Sequence, residues 1–120
     1  MSTDPVIDPK ALELLRSLDQ DRPGAMIELV RLFITDAPVQ MQRLEEGYRD
    51  RDGEQVRQAA HFLRSGALAL GLTGMIDTSQ VIEHLDISRY GEPESEAALA
   101  ALRVESRNAV VALLSVVDSL

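Results

Sequence analysis

One histidine, His61, is predicted to lie in the middle of a helix with a cation and a small hydroxyl residue on its side. On a helical wheel, His61 lies roughly 140° from Val56, which belongs to the apolar stripe, so its ring is expected to face solvent. Arg64 and Ser65 follow one turn later on the same side. An uncovered imidazole is a nucleophile suited to phosphoryl transfer, and a nearby guanidinium can bind phosphoryl oxygens. Most solvent-facing histidines only contact water, so the wheel alone leaves that alternative open.

Other candidate sites are weaker. His84 follows Glu83 but has no second histidine at metal-ligand spacing, and the chain has no cysteine, so we predict no metal site. The glutamates at 45–46 and 92–96 are typical of a solvated surface. The GLTG segment at 71–74 is too sparse for a phosphate-binding loop, and no Walker-type Gly-Lys pair occurs. We therefore expect no ATP site, and enzymatic activity of the chain's own is left open.

Composition limits the partners. The 120 residues suit one domain, and a net charge of −8 with a single lysine, Lys10, gives no basic surface for nucleic acid or an anionic membrane. No leader or spanning segment is recognisable, so a cytoplasmic location is expected. No cofactor is expected on this chain.

Apolar residues recur at helical spacing throughout. Helix starts are predicted at Asp8, Pro23, Asp52, Thr73 and Glu94. Asp52 with Gln55 resembles a capping box, and Pro38 is expected to kink or split the second helix. Residues 109–117 are apolar nearly all round, which favours burial on more than one side.

These elements predict an all-α fold, an antiparallel up-and-down four-helix bundle with a short additional N-terminal helix. Residues 1–7 are expected to form a flexible arm and residues 8–120 a single domain. We expect a monomer, although periodicity alone also permits a helical homodimer.

The segment around His61 resembles the signature of histidine-containing phosphotransfer (HPt) domains, which relay phosphoryl groups in two-component signalling. The matching residues are Ala60, His61, Leu63, Leu70, Gly71 and Glu83, and Met75, Ser79 and Ile82 stand where the family has Leu, Cys and Leu. The stretch from Phe33 to Leu44 also resembles the preceding helix of that family. Three further positions depart from its pattern: Arg64 replaces the usual Lys, Ser65 replaces the usual Gly, and Leu72 replaces the usual Ala.

The resemblance implies a phosphorelay carrier, with His61 as phosphoacceptor and Arg64 supporting the phosphoryl charge. Its partners would be a response-regulator receiver domain, which holds Mg²⁺ and an aspartyl phosphate, or a hybrid histidine kinase. The predicted docking residues are Ser65, Leu68, Phe62, Arg57 and Met41. The alternative is a binding module that docks such a partner without transfer, because Ser65 could hinder the phosphoryl donor.

Overall fold

A computed structural model of the chain describes residues 6–119. The helices are α1 (Pro9–Asp21), α2 (Ala25–Arg49), α3 (Gly53–Leu70), α4 (Thr73–Glu83) and α5 (Pro93–Asp118), with a 3₁₀ turn at Ile87–Arg89. No strand forms within the described residues; one antiparallel bridge joins Ile7 to Leu72. The all-α prediction is confirmed.

The bundle is closed by contacts of α2 with α3, α3 with α4, α4 with α5 and α5 with α2. Helices α3 and α5 therefore lie diagonally across it. Helix α1 packs on α2 and α3, as the additional N-terminal helix. The core contains the apolar stripes of all five helices, including Met26, Val30, Leu63, Leu102 and Leu113.

Local signals place most helix ends. The Asp8 carboxylate accepts a hydrogen bond from the Lys10 amide at 3.2 Å, which caps α1 as predicted. The Asp52 carboxylate accepts from the Gln55 amide at 3.1 Å, but the Gln55 side chain donates to the Arg43 carbonyl at 2.8 Å. The capping box is therefore not reciprocal, because Gln55 ties α3 to α2 instead.

Three details differ from the expectations. Helix α2 continues through Pro38, so of the two predicted outcomes, a kink or a split, the split is wrong. The N-cap of α4 is Leu72, with Thr73 already inside the helix. The segment 109–117 is buried on one side only, since Val111 is 62% and Leu114 46% exposed.

The N-terminal residues differ from the expected arm. Val6 and Ile7 are partly buried and pack against the core. The Asp8 amide donates to the Gly71 carbonyl at 2.7 Å, which fastens this segment to the α3–α4 turn. The first five residues of the expected arm lie outside the described residues.

Two glycines allow close helix packing around α3. A Cβ at Gly66 would lie 2.7 Å from Phe33 Cδ2, so its absence lets α2 approach α3. Gly71 ends α3 at φ +68°, in the left-handed region that favours glycine, and a Cβ there would collide with Ala11 of α1. These contacts fix the position of the helix that carries His61.

Among residues 6–119, every helix is too short or too polar to span a bilayer.

Candidate functional site: a histidine, carboxylate and guanidinium cluster

His61 lies near the middle of α3 on its outward face. Its side chain is 58% exposed, while its neighbours Ala60 and Leu63 are fully buried. The predicted exposure of the ring is confirmed. Packing of Ala60 and Leu63 in the core thus fixes the backbone of α3 at this point, and the His61 ring itself is accessible to another protein.

Glu83, at the C-terminal end of α4, binds the inner nitrogen of this ring. Its Oε1 lies 2.8 Å from His61 Nδ1, and its side chain is only 8% exposed. The adjacent Ile82 is fully buried, and this anchors the end of α4 against the core. Packing between α3 and α4 therefore places the carboxylate beneath the imidazole.

Arg64 binds the same carboxylate from one turn further along α3. Its Nε lies 3.3 Å from Oε1 and 3.2 Å from Oε2 of Glu83, and its Nη2 lies 3.1 Å from Oε2. The Arg64 side chain is 26% exposed, so this ion pair is largely shielded from water. The sequence placed Arg64 beside His61 but gave no sign that its main partner is Glu83.

The charge of Glu83 follows from these contacts. Burial alone raises the pKa of Glu83, but hydrogen bonds from Arg64 and His61, together with their charges, outweigh burial and hold the pKa below its usual value. Glu83 is therefore ionised at neutral pH. An ionised carboxylate is only a hydrogen-bond acceptor.

This carboxylate determines which ring nitrogen of His61 carries the hydrogen. We assign the hydrogen to Nδ1, because Glu83 Oε1 can only accept. Arg64 Nη2 lies 3.3 Å from Nδ1, and both nitrogens then carry hydrogens, so the two are only in van der Waals contact. The hydrogen bonds of Arg64 go to Glu83. Nε2 keeps its lone pair and has no hydrogen-bond partner among residues 6–119. The ring nitrogen that keeps its lone pair is therefore the one that Glu83 does not contact.

His84 lies on the other side of the same carboxylate. Its Nε2 is 3.9 Å from Glu83 Oε2, and its side chain is 69% exposed. This distance exceeds that of a hydrogen bond, so His84 contributes charge only when protonated. It provides a second exposed histidine that lacks the close carboxylate contact of His61.

The predicted docking residues fall into two groups. Phe62, Ser65, Leu68 and Arg57 are exposed on α3, with Phe62 at 40% and Leu68 at 54%. Met41 is only 7% exposed and belongs to the core, so the prediction that it presents itself to a partner is wrong. The helical wheel of α2 did not show that Met41 is buried, because α1, α3 and α5 pack against α2 and cover more than one of its faces.

An apolar groove lies between α2 and α3 beside these residues. It encloses about 240 Å³ and is lined by Leu29, Leu32, Phe33, Asp36, Phe62, Ser65, Gly66, Ala69 and Leu70. Ser65 therefore faces the groove as well as the His61 side of the helix. We call this feature the α2–α3 groove.

Comparison with known proteins agrees with this geometry. The family model described as "Hpt domain" matches residues 28–118, most of the chain, and the chain belongs to that family. Histidine-containing phosphotransfer protein B (HptB) of Pseudomonas aeruginosa PAO1 has the same fold, with a TM-score of 0.81 over 98% of this chain and 99% of HptB at 16% identity.

A relative found by sequence is the phosphorelay intermediate protein YPD1 of Candida albicans. It is 23% identical to this chain over 79 residues, which is 66% of the chain. The matched segment is 43% of the length of YPD1, so the two proteins differ in overall extent.

Proposed function

We propose that this chain is a phosphorelay carrier that accepts a phosphoryl group at His61 and passes it to another protein. The observation that carries the proposal is the uncovered Nε2 of His61, backed at Nδ1 by the ionised Glu83. Membership of the Hpt family and the similarity to YPD1, a phosphorelay intermediate protein, support the same role.

The reaction balances without proton transfer. The Nε2 lone pair of His61 attacks the phosphorus of an aspartyl phosphate, the P–O bond to the aspartate breaks, and the aspartate leaves as a carboxylate. Nδ1 retains its hydrogen, and Glu83 stabilises the positive charge that develops on the ring. The reverse step transfers the group to the next aspartate.

The partners would be receiver domains or a hybrid histidine kinase, with Mg²⁺ held by the acidic residues of the receiver. Arg64 Nη2 lies 3.3 Å from His61 Nδ1, and its guanidinium, paired with Glu83, adds positive charge beside the ring. Phe62 and Leu68 provide exposed apolar area for docking. A cytoplasmic location remains part of this proposal.

Phosphoramidate, a small phosphoryl donor, tests the chemistry without knowledge of the partner. We expect one phosphoryl group on the intact protein, labile in acid and stable in base. His61→Gln should remove it, whereas His84→Gln, which changes the other exposed histidine, should retain it. Equal labelling of wild type and His61→Gln would contradict the proposal.

A second experiment separates the carrier from the non-transferring alternative. Receiver domains of the source genome, each labelled at its aspartate, are mixed with the chain, and transfer to His61 is followed over seconds to minutes. A receiver that binds the chain but leaves it unlabelled, when phosphoramidate labels His61, would favour the docking module.

A further inference from the structure

Arg57 places a second guanidinium on the side of α3 that carries His61. It precedes His61 by four residues, so the two side chains lie about 40° apart around the helix, with Cβ atoms roughly 5–6 Å apart. The Arg57 side chain is 53% exposed, against 26% for Arg64. Of these two guanidiniums beside His61, Arg57 is therefore the more accessible one.

The two guanidiniums have carboxylate partners of different kinds. Arg64 binds Glu83, whose side chain is only 8% exposed, and removing one partner of a shielded ion pair is costly. Arg57 binds Glu54, whose side chain is 61% exposed. Its Nε lies 3.3 Å from Glu54 Oε2, and its Nη2 donates to Oε1. Because water screens such an exposed pair, Arg57 is the guanidinium that can change its partner at little cost.

Glu54 keeps other favourable contacts when Arg57 moves away. It lies in the first turn of α3, where the helix dipole favours negative charge. Its Oε1 also accepts a hydrogen bond from Gln58 Nε2 at 3.1 Å. Release of Arg57 therefore leaves the Glu54 carboxylate hydrogen-bonded and in water.

Arg57 also lies within electrostatic range of the site. Its pKa is raised, chiefly by the hydrogen bond and the charge of Glu54, and to a smaller extent by the charge of Glu83. Glu83 is the carboxylate that contacts the His61 ring. The guanidinium is thus already attracted towards the phosphoacceptor before any phosphoryl group is present.

We propose, on the basis of the carrier function proposed above, that Arg57 leaves Glu54 and binds the phosphoryl group when His61 is phosphorylated. A phosphoryl group brings roughly two negative charges and three acceptor oxygens. Each of the two guanidiniums beside His61 already has a carboxylate partner, so one must be released to bind these oxygens. A guanidinium binds phosphoryl oxygens more strongly than it binds an exposed carboxylate. Arg57 therefore exchanges its partner, and Arg64 stays on Glu83.

Titration of the phosphorylated protein, followed by ³¹P NMR with phosphoramidate as donor, tests this contact. A cation on the phosphoryl oxygens favours the dianion, so loss of the cation should raise the proton affinity of the group. We expect a roughly three-fold higher proton affinity for Arg57→Gln than for the wild type, and an intermediate value for Arg57→Lys. Arg103→Gln should match the wild type. It is the control because Arg103 is also an exposed, paired arginine, and its helix α5 lies diagonally across the bundle from α3.

The outcomes separate this inference from the carrier function. A wild type that phosphoramidate leaves unlabelled overturns both. A labelled wild type whose phosphoryl group titrates like that of Arg57→Gln overturns the Arg57 contact alone, and so does a shift in Arg103→Gln equal to that in Arg57→Gln. Circular dichroism verifies that the variants fold.

Arginine side-chain NMR tests the exchange of partners. We expect the Nε–Hε signal of Arg57, assigned by its loss in Arg57→Lys, to shift when His61 is phosphorylated, while the signal of Arg103 stays in place. An Arg57 signal that phosphorylation leaves unchanged would show that Glu54 keeps its guanidinium, and the proposal would be wrong.

Discussion

Glu83 Oε1 lies 2.8 Å from His61 Nδ1, so a residue of α4 sets the hydrogen position on a residue of α3. The carboxylate is nearly buried, and the imidazole above it is more than half exposed. The ring is thus held and oriented from below while its other nitrogen remains accessible.

Replacement of Glu83 should slow phosphoryl acceptance while leaving His61 in place. Glu83→Gln keeps an acceptor for the Nδ1 hydrogen but removes the charge, and a charge-assisted hydrogen bond exceeds a neutral one by roughly 1 kcal/mol. We expect a roughly ten-fold slower reaction with phosphoramidate for Glu83→Gln, and a larger loss for Glu83→Ala. Glu96→Gln, at an exposed position of α5, is the control. An unchanged rate for Glu83→Ala would contradict the assigned role.

Loss of Arg64 should destabilise the fold, because the shielded carboxylate of Glu83 loses the guanidinium that binds it. Arg64→Ala is expected to lower the free energy of unfolding by about 1–2 kcal/mol, or the melting temperature by roughly 3–8 °C. Arg64→Lys retains charge without the bidentate geometry, so its loss should be smaller. Thermal unfolding followed by circular dichroism measures both, and equal melting temperatures for all three proteins would refute the inferred pairing.

Acid should remove the contribution of Glu83 to stability. The pKa of Glu83 in the folded state lies below its usual value of 4.5, so the unfolded state binds more protons and stability falls as pH falls. The contribution is complete above the unfolded pKa and is lost as pH drops through the folded pKa. Urea unfolding from pH 7 to 3 should show the difference between wild type and Glu83→Gln shrinking only in acid. A difference that is constant over this range would disagree with the lowered pKa.

Gly66→Ala should be destabilising although alanine favours helices. The new Cβ would lie 2.7 Å from Phe33 Cδ2, and overpacking of about 1–3 kcal/mol exceeds the gain of roughly 1 kcal/mol in helix propensity. Gly53→Ala is the matched control, because its nearest neighbour would be 3.8 Å away, and it should be neutral or stabilising. Urea unfolding compares the two. The double variant Gly66→Ala with Phe33→Leu should recover part of the loss.

Phe62→Ala should impair transfer from a receiver but not the chemistry at His61. Phe62 is 40% exposed on the α2–α3 groove, so its truncation should cost only about 1 kcal/mol of stability and leave the protein folded. Loss of an apolar docking contact is expected to slow receiver-dependent transfer by roughly ten-fold, with phosphoramidate labelling unchanged. Val81→Ala, exposed on α4, is the control. Equal loss in both assays would indicate a change at His61 instead of a docking role.

The predicted parts of the fold depend on local signals. The Asp8 cap and the exposed side of α3 at His61 follow from capping and periodicity. The contact of His61 with Glu83 does not, because it joins residues 22 positions apart and depends on the rotation of α4 against α3. Only the family resemblance drew attention to Glu83.

The errors have a similar cause. A stripe of apolar residues shows that a helix has an inward face, but not how many neighbours cover it. Met41 is buried beneath the surrounding helices. Val111 is exposed to solvent, although it belongs to the segment 109–117, which is apolar nearly all round. Helix α2 tolerates Pro38 because the packing of its long apolar face maintains the helix beyond it.

The contact of α1 with the α3–α4 turn bears on where this domain begins. The family match starts at residue 28, yet Ala11 fills the space beside Gly71, and Ile7 pairs with Leu72 well before that point. A chain that began at residue 28 would expose the fully buried Leu72 to water. It would also lack the contacts that hold the turn between α3 and α4, the two helices that carry the site. The folding unit therefore extends some twenty residues upstream of the segment that matches the family.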